Sequence, residues 1–449
     1  MSTAMPLLLA YYGDDFTGST DALEFLARAG LRAALFIAPP TPEQMARYAG
    51  LQAVGVAGLS RSLAPEPMDA ELRPAFTALR ALGAAHVHYK VCSTFDSAPH
   101  VGSIGRAIDV GADVFRAAFV PLLVAAPVLG RYCAFGNLFA RMGIGSTGEI
   151  FRLDRHPSMS RHPVTPADES DLRRHLARQT TKAIGLLDVL QIAGPRDAAR
   201  GALDALRAAG AEIVLFDAVY PEQLAAIGSL IDAHATAERP LFSAGSSGLE
   251  MALGACWAEQ GRVRPISSWA QPGEVSPLLV ISGSCSPVTD RQIAWALAHG
   301  FADVPLATER VASGDAAGAE RDAAARASEL LAAGKSVIVH TSRGVAEARF
   351  AALQGRTAPL FGGALGRVAR AAIERGSVRR LLIAGGDSSS YAARALGIES
   401  VEMIAPLAPG APLCRARAPG SPAEGLEVNF KGGQVGAEDY FGAVVRGHL

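Results

Sequence analysis

Short apolar segments recur along this chain, and each ends in a polar or glycine-rich loop that leads into a helical segment. The first repeat has a strand at Leu7–Tyr12, a helix from about Thr20 to Ala29 closed by Gly30, and a strand at Arg32–Ile37. Parallel strands need such crossovers, because a tight turn joins only antiparallel strands. The alternation therefore predicts an α/β fold with mainly parallel sheets flanked by helices.

The same alternation continues to the end of the chain. Further strands are predicted at Gln52–Gly55, His86–Lys90, Gly185–Ile192, Glu212–Asp217, Arg239–Ala244, Leu278–Ile281, Ser336–His340 and Arg380–Ala384. Helices are predicted at Asp290–Ala298 and Asp315–Ala333. Pro406–Pro422 holds five prolines and is predicted to be an extended surface loop.

The length of 449 residues exceeds what a single hydrophobic core usually supports, so two domains are expected. The apolar periodicity lapses over residues 259–276, where Gly, Arg, Pro, Ser and Gln dominate. We place a linker there, between an N-terminal domain at 1–258 and a C-terminal domain at 277–449.

The charge and cysteine patterns exclude several classes of protein. Lys and Arg number 42 against 43 Asp and Glu, without long runs, which argues against binding to nucleic acid or to an anionic membrane surface. No apolar stretch reaches the roughly 18 uncharged residues of a membrane-spanning helix. The five cysteines are far apart and form no Cys-x-x-Cys pair, which favours a reducing, cytoplasmic compartment over a disulfide framework or a zinc site.

Two polar loops follow predicted strands in the N-terminal half. The first holds Asp14, Asp15 and Thr17 at the carboxyl end of a strand, where open α/β folds bind their ligands. One of these carboxylates could act as a general base, or simply cap the following helix. The second loop places Lys90 before Ser93 and Asp96, an inventory suited to a hydroxylated anion, although a solvated loop would have the same composition.

Three glycine- and serine-rich turns follow in the C-terminal half. Ser284 and Ser286 lie in the first turn, Gly385, Gly386, Asp387 and Ser388 in the second, and Gly433 in the third. Backbone N–H groups and hydroxyls at helix N-termini form phosphate sites, and the Asp387 carboxylate is suited to Mg²⁺. Each turn alone is weak evidence, because parallel sheets need such turns anyway.

Two familiar nucleotide motifs are missing. The chain has no Gly-x-x-x-x-Gly-Lys-Ser/Thr loop, and its Gly362–Gly366 segment does not follow a clear strand, as a dinucleotide fingerprint would. A P-loop enzyme is therefore not expected. A dehydrogenase or aldolase acting on a related acid is the main rival among enzymes, and the missing fingerprint argues against it.

Taken in order, these loops resemble the four-carbon acid sugar kinase family over essentially the whole chain. The resemblance rests on Asp14-Asp15-Phe16-Thr17-Gly18, Gly283-Ser284-Cys285-Ser286, Gly385-Gly386-Asp387 and the late Lys431-x-Gly433-x-x-Gly436. It implies two α/β domains with the active site in the cleft between them, and the partners ATP, Mg²⁺ and a small sugar acid. A homo-oligomer stays an open alternative.

The resemblance also assigns roles to individual residues. Asp14, Asp15, Arg61 and Lys90 would serve the sugar acid, and Ser284, Gly385, Gly386, Asp387, Ser388 and Gly433 the nucleotide. Asp15, or failing that Asp14, would orient or deprotonate a terminal hydroxyl of the acid.

One departure bears on the substrate. Common members carry Lys-Lys-x-Asp-Ser-Thr-Leu-Arg-Gly-Asn where this chain has Lys90-Val91-Cys92-Ser93-Thr94-Phe95-Asp96-Ser97-Ala98-Pro99, so an arginine able to grip a carboxylate is missing from this loop. The loop resembles the branch that includes 3-oxo-isoapionate kinases, so 3-oxo-isoapionate is the expected substrate. The alternatives are 3-oxo-tetronate, threonate or erythronate and, in another class, a catalytically silent binding protein.

Overall fold

The computed structural model of the chain describes residues 6–142, 148–162, 164–343, 357–376 and 378–448, apart from the side chain of Asp387. The chain forms two compact units. The first comprises Met1–Asp14, Phe25–Ala33 and Ala38–Ser267, and the second comprises Asp15–Glu24, Ala34–Ile37 and Ser268–Leu449. Each unit is built from three segments of the chain, whereas the predicted domains, 1–258 and 277–449, are continuous. The predicted domain boundaries therefore stay a prediction.

Strands and helices alternate through most of both units. The strands are β1 (Leu9–Gly13), β2 (Ala33–Phe36), β3 (Ala53–Ala57), β4 (His86–Lys90), β5 (Val120–Leu123), β6 (Arg131–Ala134), β7 (Asn137–Arg141), β8 (Ile150–Arg152), β9 (Ile184–Leu187), β10 (Ile213–Phe216), β11 (Leu241–Gly245), β12 (Leu278–Ser282), β13 (Ala302–Pro305), β14 (Val337–His340), β15 (Arg380–Ala384), β16 (Ser400–Ala408), β17 (Ala411–Arg417) and β18 (Glu427–Lys431).

The helices connect these strands. They are α1 (Phe16–Arg28), α2 (Pro42–Ala46), α3 (Pro65–Ala81), α4 (Ile104–Phe115), α5 (Leu172–Leu176), α6 (Val189–Ala193), α7 (Arg196–Ala208), α8 (Gln223–Asp232), α9 (Gly248–Glu259), α10 (Pro287–Ala298), α11 (Thr308–Ala312), α12 (Ala316–Ala332), α13 (Gly363–Arg375), α14 (Gly386–Ala395) and α15 (Tyr440–Arg446). Among the described residues, none of these helices is both long and apolar enough to cross a membrane.

The first unit contains parallel strands in the order β3-β1-β4-β11-β5-β10-β9. Every residue of β1, β3, β4 and β11 is buried, as expected where helices cover both faces of a parallel sheet. A separate antiparallel sheet, β6-β7-β8, also belongs to this unit and was not predicted from the sequence. The predicted α/β class is thus confirmed.

The second unit has a mixed sheet. Parallel strands run in the order β13-β14-β12-β15-β18, and β17, β16 and β2 follow in antiparallel pairing. Its core includes Val280, Ile338 and Leu382 from the parallel strands, with Ile293 of α10 and Phe441 of α15. The sheet is therefore mixed, with antiparallel strands that were not predicted beside the expected parallel ones.

Two local predictions were wrong. Much of Pro406–Pro422 is not a loop, because β16 and β17 pair there as an antiparallel hairpin. Prolines fit it because the register shifts between Met403 and Ala405 and between Ala405 and Ala408, and a bulge tolerates a residue that cannot donate to the ladder. Only the first half of Gly185–Ile192 is a strand, since Asp188 caps α6 by accepting from two backbone N–H groups.

The second unit also contains the start of α1, from Phe16 to Glu24. Phe16 packs against Phe430 of β18 with ring centroids 4.4 Å apart. The Glu24 carboxylate accepts a hydrogen bond from the backbone N–H of Gly410, between β16 and β17, at 2.8 Å. The acidic loop is therefore divided, because Asp14 belongs to the first unit and Asp15 to the second.

Candidate active site

The polar loops of the first unit leave its sheet at one edge. Gly13, Ala57, Lys90 and Gly245 lie side by side at the carboxyl ends of four neighbouring parallel strands. The loops that follow these strands therefore meet, as the rule for open α/β sheets predicts. Asp14 follows β1 directly.

Asp14 and Arg61 form a two-point ion pair at this edge. The Arg61 Nε donates to Asp14 Oδ2 at 3.0 Å and Nη2 donates to Oδ1 at 2.8 Å, while the Arg61 backbone N–H donates to the Asp14 carbonyl at 3.1 Å. Asp14 is 2% exposed, whereas about a quarter of the Arg61 side chain, 27%, is accessible. A bidentate pair of this kind fixes the guanidinium plane, so Asp14 orients Arg61.

The Lys90 loop presents polar groups beside this pair. Lys90 is fully buried and its Nζ donates to the Val91 carbonyl at 3.0 Å. Ser93, Thr94 and Phe95 are buried as well, and Phe95 has a φ of 56°, an unusual value for a bulky residue. One carboxylate oxygen of Asp96 is buried and has no hydrogen-bond partner among the described residues. Burial, and secondarily the negative charge of Asp96, raises the pKa of Cys92 to about 11. The predicted residues Ser93 and Asp96 thus lie on a constrained, partly desolvated loop.

The first unit also contains a buried polar pair that sequence reasoning did not single out. The His88 ring contacts Ser243 Oγ at 3.1 Å through Nδ1 and lies 3.7 Å from the Glu250 carboxylate through Nε2. Burial and the neighbouring charge of Lys90 lower the pKa of His88 to about 3, so the ring is neutral at physiological pH. The ring lies inside β4 and is fully buried, so it packs within the sheet.

Asp15 caps α1, as one of the two interpretations of the acidic loop predicted. Its Oδ1 accepts from the backbone N–H of Gly18 at 2.7 Å, and its Oδ2 accepts from the Thr17 hydroxyl at 3.0 Å. The N–H of the third helical residue is the one that an N-cap side chain satisfies. The cap explains why α1 begins at Phe16 rather than near Thr20.

The cap also directs the Asp15 carboxylate toward a turn of the second unit. A Cβ atom added to Gly386 would lie 3.7 Å from Asp15 Oδ2 and 3.7 Å from Thr17 Oγ1. Both side chains belong to the same compact unit as this glycine. A carboxylate and a hydroxyl therefore face the start of α14.

The three glycine- and serine-rich turns of the second unit converge. Ser282, Ala384 and Lys431 lie side by side at the carboxyl ends of β12, β15 and β18, which are neighbours in the sheet. A Cβ on Gly283 would lie 2.1 Å from the Ser388 hydroxyl, closer than atoms approach one another. The absence of a side chain at Gly283 therefore allows the first two turns to touch.

The third turn packs against the first with similar closeness. A Cβ on Gly433 would lie 2.9 Å from Ser284 Oγ and 2.9 Å from Ser286 Cβ. Gly385 has a φ of +122°, and a Cβ there would lie 3.2 Å from the Ser284 backbone nitrogen. The structure thus brings together Ser284, Ser286, Gly385, Gly386, Ser388 and Gly433.

Two side chains of α10, Thr289 and Gln292, hold these turns. The Thr289 hydroxyl accepts from Ser284 Oγ and donates to the Gly433 carbonyl, both at 3.0 Å. The Gln292 amide lies 2.9–3.1 Å from three successive backbone carbonyls, Val435 to Ala437. Gln292 lies outside the glycine- and serine-rich turns, so a search for such turns does not find it.

The helix starts supply donors for an anion. Ser286 caps α10 by accepting from the Val288 N–H at 3.2 Å, and α14 begins directly after Gly385. Backbone N–H groups at helix starts favour bound phosphate. The Asp387 side chain lies outside the described part of the structure. A carboxylate at this position in the sequence fits Mg²⁺ chemically, because this ion keeps several waters and is commonly held by one or two carboxylates plus substrate phosphates.

Comparison with known proteins identifies both halves of the chain. Residues 9–253 match the family model of a sugar-binding N-terminal domain, and residues 279–441 match that of a nucleotide-binding C-terminal domain. The chain belongs to the four-carbon acid sugar kinase family. The family resemblance expected from the sequence is confirmed.

Relatives in this family are similar over their whole lengths. A 3-oxo-isoapionate kinase from Paraburkholderia graminis is 44% identical, over 100% of this chain and 96% of the relative. A 3-oxo-tetronate kinase from Methylobacterium radiotolerans is 34% identical, over 98% of both chains. A crystal structure of a Salmonella typhimurium protein matches with a TM-score of 0.76 and 25% identity, over 98% of both chains.

Proposed function

We propose that this protein is an ATP-dependent kinase that phosphorylates a terminal hydroxyl of a small sugar acid, with 3-oxo-isoapionate as its substrate. The observation that carries the proposal is the 44% identity to a 3-oxo-isoapionate kinase across the full length of this chain. The 3-oxo-tetronate kinases, at 29–34%, are less similar. A 3-oxo-tetronate, threonate or erythronate kinase is the alternative.

The converging turns of the second unit support the nucleotide half of this proposal. Ser284, Ser286, the Gly385–Ser388 turn and Gly433 would hold the phosphates of ATP through hydroxyls and backbone N–H groups. The close approach of the turns depends on glycine at positions 283 and 433, where a side chain would meet its neighbours within 3 Å. The Asp387 carboxylate would bind Mg²⁺. When bound, this ion would neutralise part of the negative charge of the phosphates.

The polar edge of the first unit supports the acid half. Arg61, held in one plane by Asp14, would bind the carboxylate of the sugar acid with parallel hydrogen bonds. Lys90 would add positive charge, and Ser93 and Asp96 would bind hydroxyl or carbonyl groups. This arrangement gives the acid a guanidinium partner even though the Lys90 loop itself lacks an arginine.

Asp15 is the better of the two candidate bases. Both oxygens of Asp14 accept from Arg61, which leaves this carboxylate bound to a cation. Asp15 Oδ2 accepts from the Thr17 hydroxyl, and a Cβ atom on Gly386 would lie 3.7 Å from it, so this carboxylate faces the proposed nucleotide turn. We propose that Asp15 orients and deprotonates the acid's hydroxyl while Thr17 fixes the carboxylate.

Three further expectations stay predictions. They are a reaction in the interdomain cleft, a cytoplasmic location and a homo-oligomer.

The test is ADP release from MgATP with 3-oxo-isoapionate, the 3-oxo-tetronates, threonate and erythronate, each against a reaction without acid. We expect the highest kcat/KM with 3-oxo-isoapionate. A higher value with a tetronate would replace the substrate and keep the kinase. Silence with every acid, while MgADP still binds, would favour a catalytically silent binding protein.

A further inference from the structure

A fully buried lysine lies under the point where the three turns converge. Lys431 is the last residue of β18, opposite Ala384, and its carbonyl accepts from the Gly385 N–H at 3.0 Å. Its side chain is 0% exposed. A lysine is almost never fully buried without a compensating partner, so its surroundings require an explanation.

The amine of this lysine reaches the residue that joins the other two turns. Lys431 Nζ donates to Thr289 Oγ1 at 3.0 Å, and that hydroxyl also bonds to Ser284 and to the Gly433 carbonyl. Thr289 then accepts two hydrogen bonds and donates one, which is the full capacity of a hydroxyl. Lys431 is therefore connected to every turn of the site.

No anion of the described chain balances its charge. Within the described residues, no carboxylate lies within 4.0 Å of Nζ, and Thr289 is the side chain to which it donates. Of the acidic groups on packed elements, Asp290 of α10 pairs with Arg343 and Glu427 of β18 pairs with Arg380. On α1, Asp15 accepts from the Gly18 N–H and Glu24 accepts from the Gly410 N–H. Asp387 belongs to the facing turn, but its side chain is not described. Tyr440 bonds to Asn429 at 3.0 Å and is neutral, because burial raises its pKa.

The missing counter-ion has a measurable consequence. Burial lowers the pKa of Lys431 to about 7, so the amine is partly neutral near physiological pH. A bound phosphate would supply the absent negative charge and favour the ammonium form. If Lys431 had a purely structural role, its amine would stay neutral when nucleotide binds and would only keep its hydrogen bond to Thr289.

We propose that Lys431 binds the phosphate chain of the nucleotide as an ammonium ion and takes up a proton when the nucleotide binds. The inference rests on the nucleotide site proposed above. It adds a positive charge to turns whose other phosphate-binding groups are hydroxyls and backbone N–H groups. It also makes nucleotide affinity depend on pH through a residue of the protein.

The test is calorimetric titration of MgADP at pH 8 in two buffers with different ionisation enthalpies. For the wild type we expect uptake of about 0.9 proton per MgADP, because a group with a pKa near 7 is mostly deprotonated at that pH. Lys431→Met should lose this uptake and bind roughly 10- to 100-fold more weakly. Lys431→Arg, charged at all pH values, should bind without proton uptake. Lys335→Met, which removes an exposed lysine, is the matched control.

Equal proton uptake by the wild type and Lys431→Met would overturn the inference. If the variant fails to fold, the wild type alone suffices: MgADP affinity should fall from pH 7.5 to 9, where phosphate ionisation, with a pKa near 6, no longer changes. A constant affinity over that range would contradict proton uptake by Lys431. Absence of MgADP binding by the wild type at any pH would instead overturn the nucleotide site itself.

Discussion

Replacing Asp15 separates its role as a helix cap from its proposed role in chemistry. In Asp15→Asn the remaining oxygen can still accept from the Gly18 N–H, which lies 2.7 Å from Oδ1 in the wild type. The new amide can donate to the Thr17 hydroxyl, which now donates to Oδ2 at 3.0 Å and need only rotate. Both hydrogen bonds of the cap can therefore be retained.

The magnitudes of the two effects differ widely. Asn and Asp are about equally good N-caps, so the free energy of unfolding should change by less than ~0.5 kcal/mol. Loss of a general base lowers kcat by about 10²- to 10⁴-fold, which corresponds to ~2.7–5.4 kcal/mol of activation free energy. Asp15→Ala should lose about the same activity and, in addition, ~1 kcal/mol of stability.

The assay combines denaturant unfolding with steady-state ADP release at saturating MgATP. Asp188→Ala is the matched control, because Asp188 caps α6 by accepting from Leu190 and Gln191 at 2.9 Å. We expect the free energy of unfolding of Asp188→Ala to fall by ~1 kcal/mol while its kcat stays unchanged. A kcat of Asp15→Asn within threefold of the wild type would refute the assignment of Asp15 as base and leave it as a helix cap.

Three further predictions address the turns, the ion pair and the buried histidine. Gly283→Ala places a methyl group 2.1 Å from Ser388 Oγ, so it should lower the free energy of unfolding by ~1–3 kcal/mol and raise the Kd of MgADP. An unchanged Kd in calorimetry would contradict the claim that MgADP binds where these turns pack together. Arg61→Lys removes the two-point pair with Asp14, so the KM of the acid should rise about tenfold or more while the Kd of MgADP stays constant. A change in the Kd of MgADP alone would contradict the assignment of Arg61 to the sugar acid. The pKa of His88 is depressed to about 3, so below pH 6.5 the folded state binds fewer protons than the unfolded state. The free energy of unfolding should therefore fall by up to ~1.4 kcal/mol per pH unit as the pH drops from 6.5 toward 3. In urea titrations His88→Gln should show a weaker dependence of this free energy on pH, and the same dependence as in the wild type would contradict the prediction.

The sequence was informative where a strand end and a loop follow one another in the chain. His86–Lys90 and Arg380–Ala384 were predicted with their observed bounds, because an apolar run that stops at polar or glycine residues is a local signal. Asp14, Lys90, Ser284 and Gly385 all follow or end such strands, so their position at a sheet edge could be anticipated.

Contacts that depend on the tertiary structure were not predicted. Lys431 was noted as part of the motif behind the family resemblance, but its contact with Thr289 was not predicted, because that contact depends on which strands are neighbours in the sheet. Arg61 was predicted only from the family resemblance, since no local pattern indicates that it faces Asp14. The hairpin of β16 and β17 was missed because prolines, which usually mark loops, sit where the ladder is irregular.

The most direct test of the account is phosphorylation of 3-oxo-isoapionate by wild type and Asp15→Asn, followed by ³¹P NMR of the product. The account predicts a new phosphomonoester at the terminal carbon, formed with one ADP per ester and largely lost in the variant. ADP release without a phosphorylated acid, or an ester formed equally fast by the variant, would contradict it.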